Sequence, residues 1–141
     1  MLNWQYNNEA GSRNTYDAIN GVNNACMTLW IWDNGPLTNG KIYQTVTLPT
    51  GEYELNATVS NIDNSLQSTY LAVATGNALP NVDAITTAIG YGRFTDNSKK
   101  SVSASFTLSS SATVTLGVVG TMVSPTAQTL RISKVRLIKY K

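Results

Sequence analysis

Residues 39–61, NGKIYQTVTLPTGEYELNATVSN, are the most regularly patterned stretch of the chain. Apolar and polar residues alternate before Pro49 and again after Gly51, a period that places successive side chains on opposite faces of a β-strand. Pro49 has no N–H to offer a partner strand and Gly51 tolerates positive φ, so the chain is expected to turn between them. The stretch therefore predicts an antiparallel hairpin of strands 41–48 and 52–60.

Similar strand signals continue through most of the chain. Further strands are predicted at residues 2–6, 26–32, 69–76, 88–94, 102–108, 114–118 and 129–140. Gly, Pro and Asn separate these short runs, which is typical of an all-β sandwich or barrel. Eight or nine such strands fit one domain over residues 1–141.

The strand pattern also predicts local details. In the last strand Ile132 is followed by Val135 and Leu137, which breaks strict alternation. A β-bulge near Ser133 would return all three side chains to the core face. Within the opening stretch the residues expected in the core are Tyr53, Leu55 and Val59.

One short helical turn is expected among the strands. It lies after Pro80, in NVDAITTA (81–88), and either Asn81 or Asp83 could cap it. Apart from this turn, the sequence has no helical periodicity.

The composition favours an exported β protein. Only 13% of the residues are charged, whereas Ser, Thr and Asn make up about a third of the chain. Cys26 is the single cysteine, so an intrachain disulfide is excluded. No apolar run reaches the length that spans a bilayer. We expect an extracellular or cell-surface location, with the export signal outside this sequence.

The charge distribution is uneven, although the net charge is only +2. Half of the basic residues lie in the last eleven positions: Arg131, Lys134, Arg136, Lys139 and Lys141. The favoured interpretation is a basic solvent face on a terminal edge strand, and the alternative is contact with an anionic surface. The small net charge does not indicate a nucleic-acid partner.

Catalysis is not expected. The chain has no histidine, which removes the commonest general base and the usual partner of a Ser or Cys nucleophile. Most of the eight carboxylates fall in predicted turns or on a solvated face, and no phosphate loop, dinucleotide motif or zinc spacing occurs. We therefore predict that the protein is not an enzyme.

Polar loops are predicted to meet at one end of the sandwich. The first hairpin strand leaves the loop DNGPLTNG (33–40) and the second returns to NIDNSLQS (61–68). Their side chains include Asp33, Asn34, Asn39, Asn61, Asp63 and Asn64. Such groups can bind sugar hydroxyls or a hard cation such as calcium. The favoured interpretation of these residues is nevertheless ordinary turn chemistry, because Asn and Asp favour turns.

Aromatic residues add two candidate contacts. Trp30 and Trp32 share one face of a predicted strand, and Trp32 directly precedes the first loop. Core packing of at least one Trp is the favoured interpretation, because the strand is apolar on both faces. The alternative is sugar recognition by an indole beside amides, to which Trp32 is suited by its place next to the loop. Tyr91 and Arg93 also share a face, opposite Gly90 and Gly92, where a ligand or another backbone could approach. Packing of Tyr91 under a loop is the alternative there.

These residues carry a resemblance to known domains. NGKIYQTVTLPTGEYEL resembles the hallmark hairpin of galactose-binding-like jelly rolls, especially that of an uncharacterised domain family in surface lipoproteins of Bacteroidetes-type gut bacteria. WDNGPLTNG resembles the approach to that hairpin, and RISKVRLIKY resembles the closing strand. The resemblance implies an antiparallel jelly-roll β-sandwich that is a non-catalytic module of an exported protein handling glycans.

The leading interpretation is a carbohydrate-binding module of an exported or cell-surface bacterial protein. Its predicted contacts are Trp30, Trp32, Asp33, Asn34, Asn61, Asp63, Asn64, Tyr91 and Arg93. Expected partners are a glycan or polysaccharide and neighbouring domains, without nucleic acid or direct membrane insertion. No cofactor is expected, with calcium left open as a structural ion. The alternative function is a structural or protein-protein interaction module, in which the Trp pair is core and either the basic final strand or an exposed aromatic patch makes the contact.

Overall fold

The computed structural model describes residues 4–11, 27–31, 36–123 and 127–141. Within these residues the chain forms nine strands, one short α-helix and one 3-10 helix. In chain order the elements are β1 (Gln5–Tyr6), α1 (Asn8–Gly11), β2 (Met27–Ile31), β3 (Leu37–Leu48), β4 (Gly51–Asp63), β5 (Ser68–Thr75), the 3-10 helix (Val82–Thr87), β6 (Gly90–Arg93), β7 (Ser101–Leu108), β8 (Ala112–Met122) and β9 (Gln128–Lys139). None of the described helices is long and apolar enough to cross a membrane.

The strands form two antiparallel sheets. Sheet A has the order β1-β3-β8-β5-β6, and sheet B has the order β2-β9-β4-β7. The chain changes sheet at almost every connection, so that strands β3-β8-β5-β6 of sheet A face strands β2-β9-β4-β7 of sheet B. This alternation between two four-stranded layers is the jelly-roll arrangement, with β1 added at one edge. The prediction of an all-β antiparallel jelly-roll sandwich is confirmed.

The predicted hairpin of strands 41–48 and 52–60 is wrong as a pairing. β3 pairs with β1 and β8 in sheet A, whereas β4 pairs with β7 and β9 in sheet B. The connection between them crosses from one sheet to the other, and the Tyr53 hydroxyl donates to Pro49 O over 2.7 Å. Period-2 alternation reports which face of a strand is buried, but it does not report which strand lies alongside.

The core lies between the two sheets and includes the residues expected from β4. Tyr53, Leu55 and Val59 are all buried. The Tyr53 ring stacks on Phe106 of β7, with ring centroids 5.1 Å apart and planes 11° from parallel. β7 itself alternates strictly between exposed and buried residues over Ser101–Leu108. The inferred faces of these strands are therefore confirmed.

The bulge predicted near Ser133 is present. Thr58 lies opposite Lys134 and Val59 lies opposite Ile132, so Ser133 is the extra residue on β9. The shift keeps Ile132 and Val135 facing the core. Leu137 lies opposite buried Leu55 on the same face but remains 38% exposed.

The expected helical turn is the 3-10 helix, but its capping differs from the prediction. Asn81 occupies the N-cap position without a side-chain capping hydrogen bond. The Oδ1 atom of Asn39, on β3, accepts from the N–H of Val82 over 2.8 Å instead. The donor at this helix end is thus satisfied by a residue distant in sequence, and Asp83 lies inside the helix.

β9 is not the terminal edge strand that the sequence analysis favours. Over Gln128–Ile132 it lies between β2 and β4. Beyond Ile132, β4 is its partner within the described part of the chain. Three of the five basic residues, Arg131, Lys134 and Arg136, point outward from sheet B.

Candidate functional site

The described parts of the two loops, residues 36–40 and 61–68, lie at the same end of the sandwich as predicted, although their strands are in different sheets. Leu37 at the start of β3 lies opposite Met122 at the end of β8. At the same end, Asp63 of β4 lies opposite Thr129 of β9. Two strands running in opposite directions across a sandwich bring the same loops together as a hairpin does, which is why this prediction survives the error in pairing.

A buried glutamine holds this end together. Gln128 is 4% exposed, and its Oε1 accepts from the N–H of Val123 over 3.2 Å. Its Nε2 donates to Ser65 O over 2.8 Å and to Gln67 Oε1 over 3.3 Å. With Asn64, these residues line a shallow depression of about 290 Å³. Gln128 is not among the predicted site residues, and its only sequence signal is that a polar residue occupies a core position of the last strand.

Asn64 stabilises the turn that follows β4. Its φ of 63° is in the left-handed region, which Asn tolerates better than most residues. Its Nδ2 donates to Ala127 O, which ties the loop to the start of β9. The turn-forming alternative therefore accounts for Asn64, although its side chain also borders the depression.

Trp30 faces outward from sheet B, not into the core. Its neighbours Leu29 and Ile31 are buried on the opposite face, while Trp30 is half-buried. In register, Trp30 lies beside Thr129, which lies beside Asp63. Direct cross-strand neighbours share a face, so the indole and the Asp63 carboxylate lie on one surface, on strands whose backbones are about 10 Å apart.

The next row of sheet B supplies amide and guanidinium groups. Arg131 lies beside Asn61, whose Nδ2 donates to Asp63 Oδ1 over 2.9 Å. The Asn97 side chain bonds both the N–H and the C=O of Ile62, over 2.7 and 2.8 Å, and so extends the sheet past β7. We call Trp30, Thr129, Asp63, Asn61 and Arg131 the Trp30 cluster.

The Trp30 cluster is bounded on one side. Thr28, on the same face and beside Arg131, is 5% exposed. Asp63 is exposed, while Trp30, Asn61 and Arg131 are partly exposed. The accessible part of the cluster therefore opens toward the loops and toward β4.

Tyr91 and Arg93 share a face, as predicted, but it is the outer face of sheet A. Tyr91 lies beside Ala72 and is 44% exposed, and Arg93 lies beside Tyr70. The Tyr70 and Tyr91 rings meet edge to face, with centroids 6.2 Å apart. Arg93 Nη1 donates to Gln67 O over 3.2 Å. We call Tyr91, Tyr70 and Arg93 the Tyr91 cluster; it and the Trp30 cluster face opposite sides of the molecule.

The glycines beside Tyr91 admit another backbone rather than a ligand. A Cβ built on Gly90 would lie 2.4 Å from Ser105 O, and one on Gly92 would lie 2.4 Å from Ser103 O. Both oxygens belong to β7, which packs against this face of β6. Of the two alternatives for these glycines, close backbone approach is the correct one.

A third polar cluster, missed in the sequence analysis, lies on the outer face of sheet B at the opposite end from the loops. The Tyr140 hydroxyl donates to Glu54 Oε1 over 2.6 Å, and the Ser103 hydroxyl donates to Glu54 Oε2 over 2.7 Å. Asn56 Nδ2 donates to Ser103 Oγ over 2.9 Å. We call these four residues the Tyr140 cluster. The Tyr140 ring is 60% exposed.

The hydrogen bonds of the Tyr140 cluster shift both of its acids. The bond from Tyr140, followed by the bond from Ser103, lowers the pKa of Glu54, because both favour the carboxylate. The same contact with Glu54 raises the pKa of Tyr140. At neutral pH the pair is thus held as an ionised carboxylate and a protonated phenol.

Three predicted contacts, Trp32, Asp33 and Asn34, lie outside the described residues, and so does Cys26. In the part of the chain that the structure describes, no group of three or more Cys, Asp or Glu side chains is arranged to hold a metal ion. The described candidates divide between sheet B (Trp30, Asn61, Asp63), the loop rim (Asn64) and sheet A (Tyr91, Arg93).

Comparison with known proteins gives a family. Residues 1–117 match the family model described as Domain of unknown function (DUF5013). The chain belongs to this family. Comparison with curated proteins gave no match. The DUF5013 match covers the first seven strands and the first half of β8. Thr129 and Arg131 of the Trp30 cluster, which lie on β9, and Tyr140 of the Tyr140 cluster lie beyond it.

Proposed function

We propose that this DUF5013 domain is a non-catalytic carbohydrate-binding module of an exported or cell-surface bacterial protein. The observation that carries the proposal is the Trp30 cluster. A partly exposed indole stands in the same row as the Asp63 carboxylate, beside the Asn61 amide and the Arg131 guanidinium. Sugars present apolar C–H faces and hydroxyls together, and this surface offers the matching apolar plane, donors and acceptors.

The position of the cluster supports the same function. It lies where the loops of both sheets converge, on strands rather than on the loops alone. The Asn61–Asp63 bond and the two Asn97 bonds to Ile62 fix the polar groups before any ligand arrives. Such preorganisation lowers the entropy that binding must overcome. The resemblance to galactose-binding-like jelly rolls agrees with this assignment.

The experiment is a screen of the purified domain against immobilised neutral and acidic polysaccharides. For any glycan bound, Trp30→Ala should weaken binding roughly tenfold or more, because it removes the aromatic plane. Asp63→Asn, which keeps the size of an exposed side chain, should weaken it less and serves as the variant least prone to misfolding. Circular dichroism and thermal unfolding check that both variants fold.

Tyr91→Ala is the matched control, because it removes an exposed aromatic from the opposite sheet. Binding lost in Tyr91→Ala but kept in Trp30→Ala would transfer the site to the Tyr91 cluster. A folded domain that binds no glycan on the panel would overturn the proposed function.

A second candidate function is an interaction module that docks a neighbouring domain. It is favoured by β6, which within the described residues pairs only with β5 and carries exposed Tyr91. A short strand with an open edge can accept a strand from another chain. Binding of the domain to its own neighbouring domain, weakened by Tyr91→Ala and not by Trp30→Ala, would support this function.

A further inference from the structure

Three cations follow one another along the outer face of sheet B. Arg131, Lys134 and Arg136 all lie on β9, with the bulge at Ser133 between the first two. Their partners on β4 are Asn61, Thr58 and Asn56 respectively. Lys134 and Arg136 are exposed and Arg131 is partly exposed. We call the three cations the β9 strip.

The β9 strip lies over neutral partners, and carboxylates stand at its ends. Asp63, beyond Arg131, accepts from Asn61. Glu54, beyond Arg136, accepts from the hydroxyls of Tyr140 and Ser103, although its charge also reaches Arg136. Glu52, two residues before Glu54 on the same face of β4, adds a third carboxylate at that end. Hydrogen bonds from neutral donors leave the charge on these acids, so the field toward solvent is most positive in the middle of the strip, where Lys134 lies opposite neutral Thr58.

Aromatic side chains mark the two ends of the strip. Trp30 lies in the row of Thr129, and Tyr140 lies one residue past the end of β9. Along β9 the row of Thr129 and the position of Tyr140 are roughly 30 Å apart, since a strand rises about 3.3 Å per residue. Hydroxyl and amide groups of β4 and β7 cover the face alongside: Thr58, Asn56, Ser101 and Ser103. The described surface is therefore long and polar.

We propose that the outer face of sheet B binds an extended segment of an acidic polysaccharide, whose carboxylate or sulfate groups contact Arg131, Lys134 and Arg136 between Trp30 and Tyr140. The proposal rests on the proposed function and specifies its ligand class. Charge complementarity selects an anionic ligand, and the aromatic ends with hydroxyl-bearing strands between them select a sugar chain over a simple polyanion.

The test measures binding to polygalacturonate, alginate and chondroitin sulfate, with fully methyl-esterified polygalacturonate as the uncharged counterpart of the first. Lys134→Gln/Arg136→Gln should weaken binding to at least one acidic polymer roughly tenfold at low salt, and added salt should weaken wild-type binding. Lys139→Gln/Lys141→Gln is the matched control. It removes the same number of positive charges close to the strip in sequence. Lys139 lies opposite core-facing Tyr53 and neither lysine belongs to the β9 strip, so binding should change less than twofold.

Each outcome separates the inference from the function on which it rests. Binding of neutral and acidic polymers with equal affinity, unaffected by Lys134→Gln/Arg136→Gln, would overturn the acidic-ligand inference and leave the proposed function standing. Equal binding of a single-stranded polynucleotide would also overturn it, because the face would then respond to charge alone. Absence of binding to every glycan, neutral or acidic, would overturn both.

A length series of polygalacturonate oligomers tests the extended site. Tyr140→Ala should weaken binding of long oligomers several-fold and leave the shortest bound oligomer unaffected, whereas Tyr140→Phe, which keeps the ring, should behave as wild type. Equal affinity for all lengths in wild type, with no effect of Tyr140→Ala, would restrict the site to the Trp30 cluster.

Discussion

The outer faces of the two sheets differ in what covers them. On sheet A the 3-10 helix and its approach pack over the strands, and a second apolar cluster forms from Ala72, Leu79, Ile85 and Val119. On sheet B the outward residues of β4 and β7 are hydroxyl, amide and charged side chains. The outer face of sheet A is part of a second apolar core, whereas most of the described outward residues of β4 and β7 in sheet B are exposed or partly exposed.

The strand sequences already carry this difference. β7, SVSASFTL, alternates strictly and has one buried face. β8, ATVTLGVVGTM, is buried over seven consecutive residues because it lies at the centre of sheet A with both faces covered. A strand that alternates polar and apolar residues therefore has one accessible face, whereas a strand that is buried at consecutive positions has both faces covered.

The largest expected effect is a loss of stability from a substitution in the covered outer face of sheet A. Val119→Asp places an unpaired carboxylate in the second apolar cluster, where Val119 is fully buried, and should lower the free energy of unfolding by about 3–5 kcal/mol. Thr58→Asp, at a partly exposed outward position of sheet B, should change it by less than about 1 kcal/mol. Urea unfolding measures both. Equal losses would show that the two faces are equally buried.

A smaller loss is expected where β6 meets β7. Gly92→Ala places a Cβ 2.4 Å from Ser103 O, so the strands must separate, at a cost of about 1–3 kcal/mol. Ser105→Ala, at an exposed position of β7, is the control and should be nearly neutral. Thermal unfolding gives the comparison. If Gly92→Ala abolished glycan binding while leaving stability unchanged, the glycine would have a ligand role instead.

The smallest effect concerns the exposed face of sheet B. Tyr140→Phe removes the hydroxyl that is the main cause of the lowered pKa of Glu54, so this pKa should rise toward 4.5. An NMR titration of the Glu54 carboxyl carbon measures the change. Asp96, whose pKa is lowered by Ser98, is the internal control and should not move. An unchanged Glu54 pKa would show that the Tyr140 bond does not form in solution.

The pH range of this contribution follows from the two shifts. A lowered carboxyl pKa means that folding favours the ionised form, so the contribution of Glu54 is present above its ordinary pKa and is lost as pH falls through the lowered value. A raised phenol pKa means that the contribution of Tyr140 is present below its ordinary pKa of 10.0 and is lost as pH rises through the raised value. The difference between wild type and Tyr140→Phe should therefore be largest around neutral pH.

Local patterns predicted the strands but not their neighbours. Alternation identified the core face of β4, and the parity break at Ser133 identified a bulge, because both depend on adjacent residues. The choice of partner for β3 depends on where β8 packs, about 70 residues later, and nothing in the local pattern records it. A two-strand pattern around Pro49 is compatible with a hairpin or with a crossing between sheets.

Contacts in the candidate site were likewise predictable only where they join residues close in sequence. Asn61 and Asp63 were predictable as neighbours, because residues two apart share a face. Their meeting with Trp30 requires β9 between β4 and β2. The contact between Glu54 and Tyr140 joins residues 86 positions apart, so no local sequence motif predicts it. Likewise, Gln128 is recognisable as a structural tie only after the loop of Ser65 is seen beside it.

The order of strands in the two sheets has a consequence for the newly synthesised chain. β8 separates β3 from β5, and β9 separates β2 from β4, so neither sheet can close until the last quarter of the chain has left the ribosome. Until then β3 and β4 present unpaired edges, which is the condition that favours aggregation and recruits chaperones. Pairings this distant in sequence also predict slow folding, on the millisecond-to-second scale.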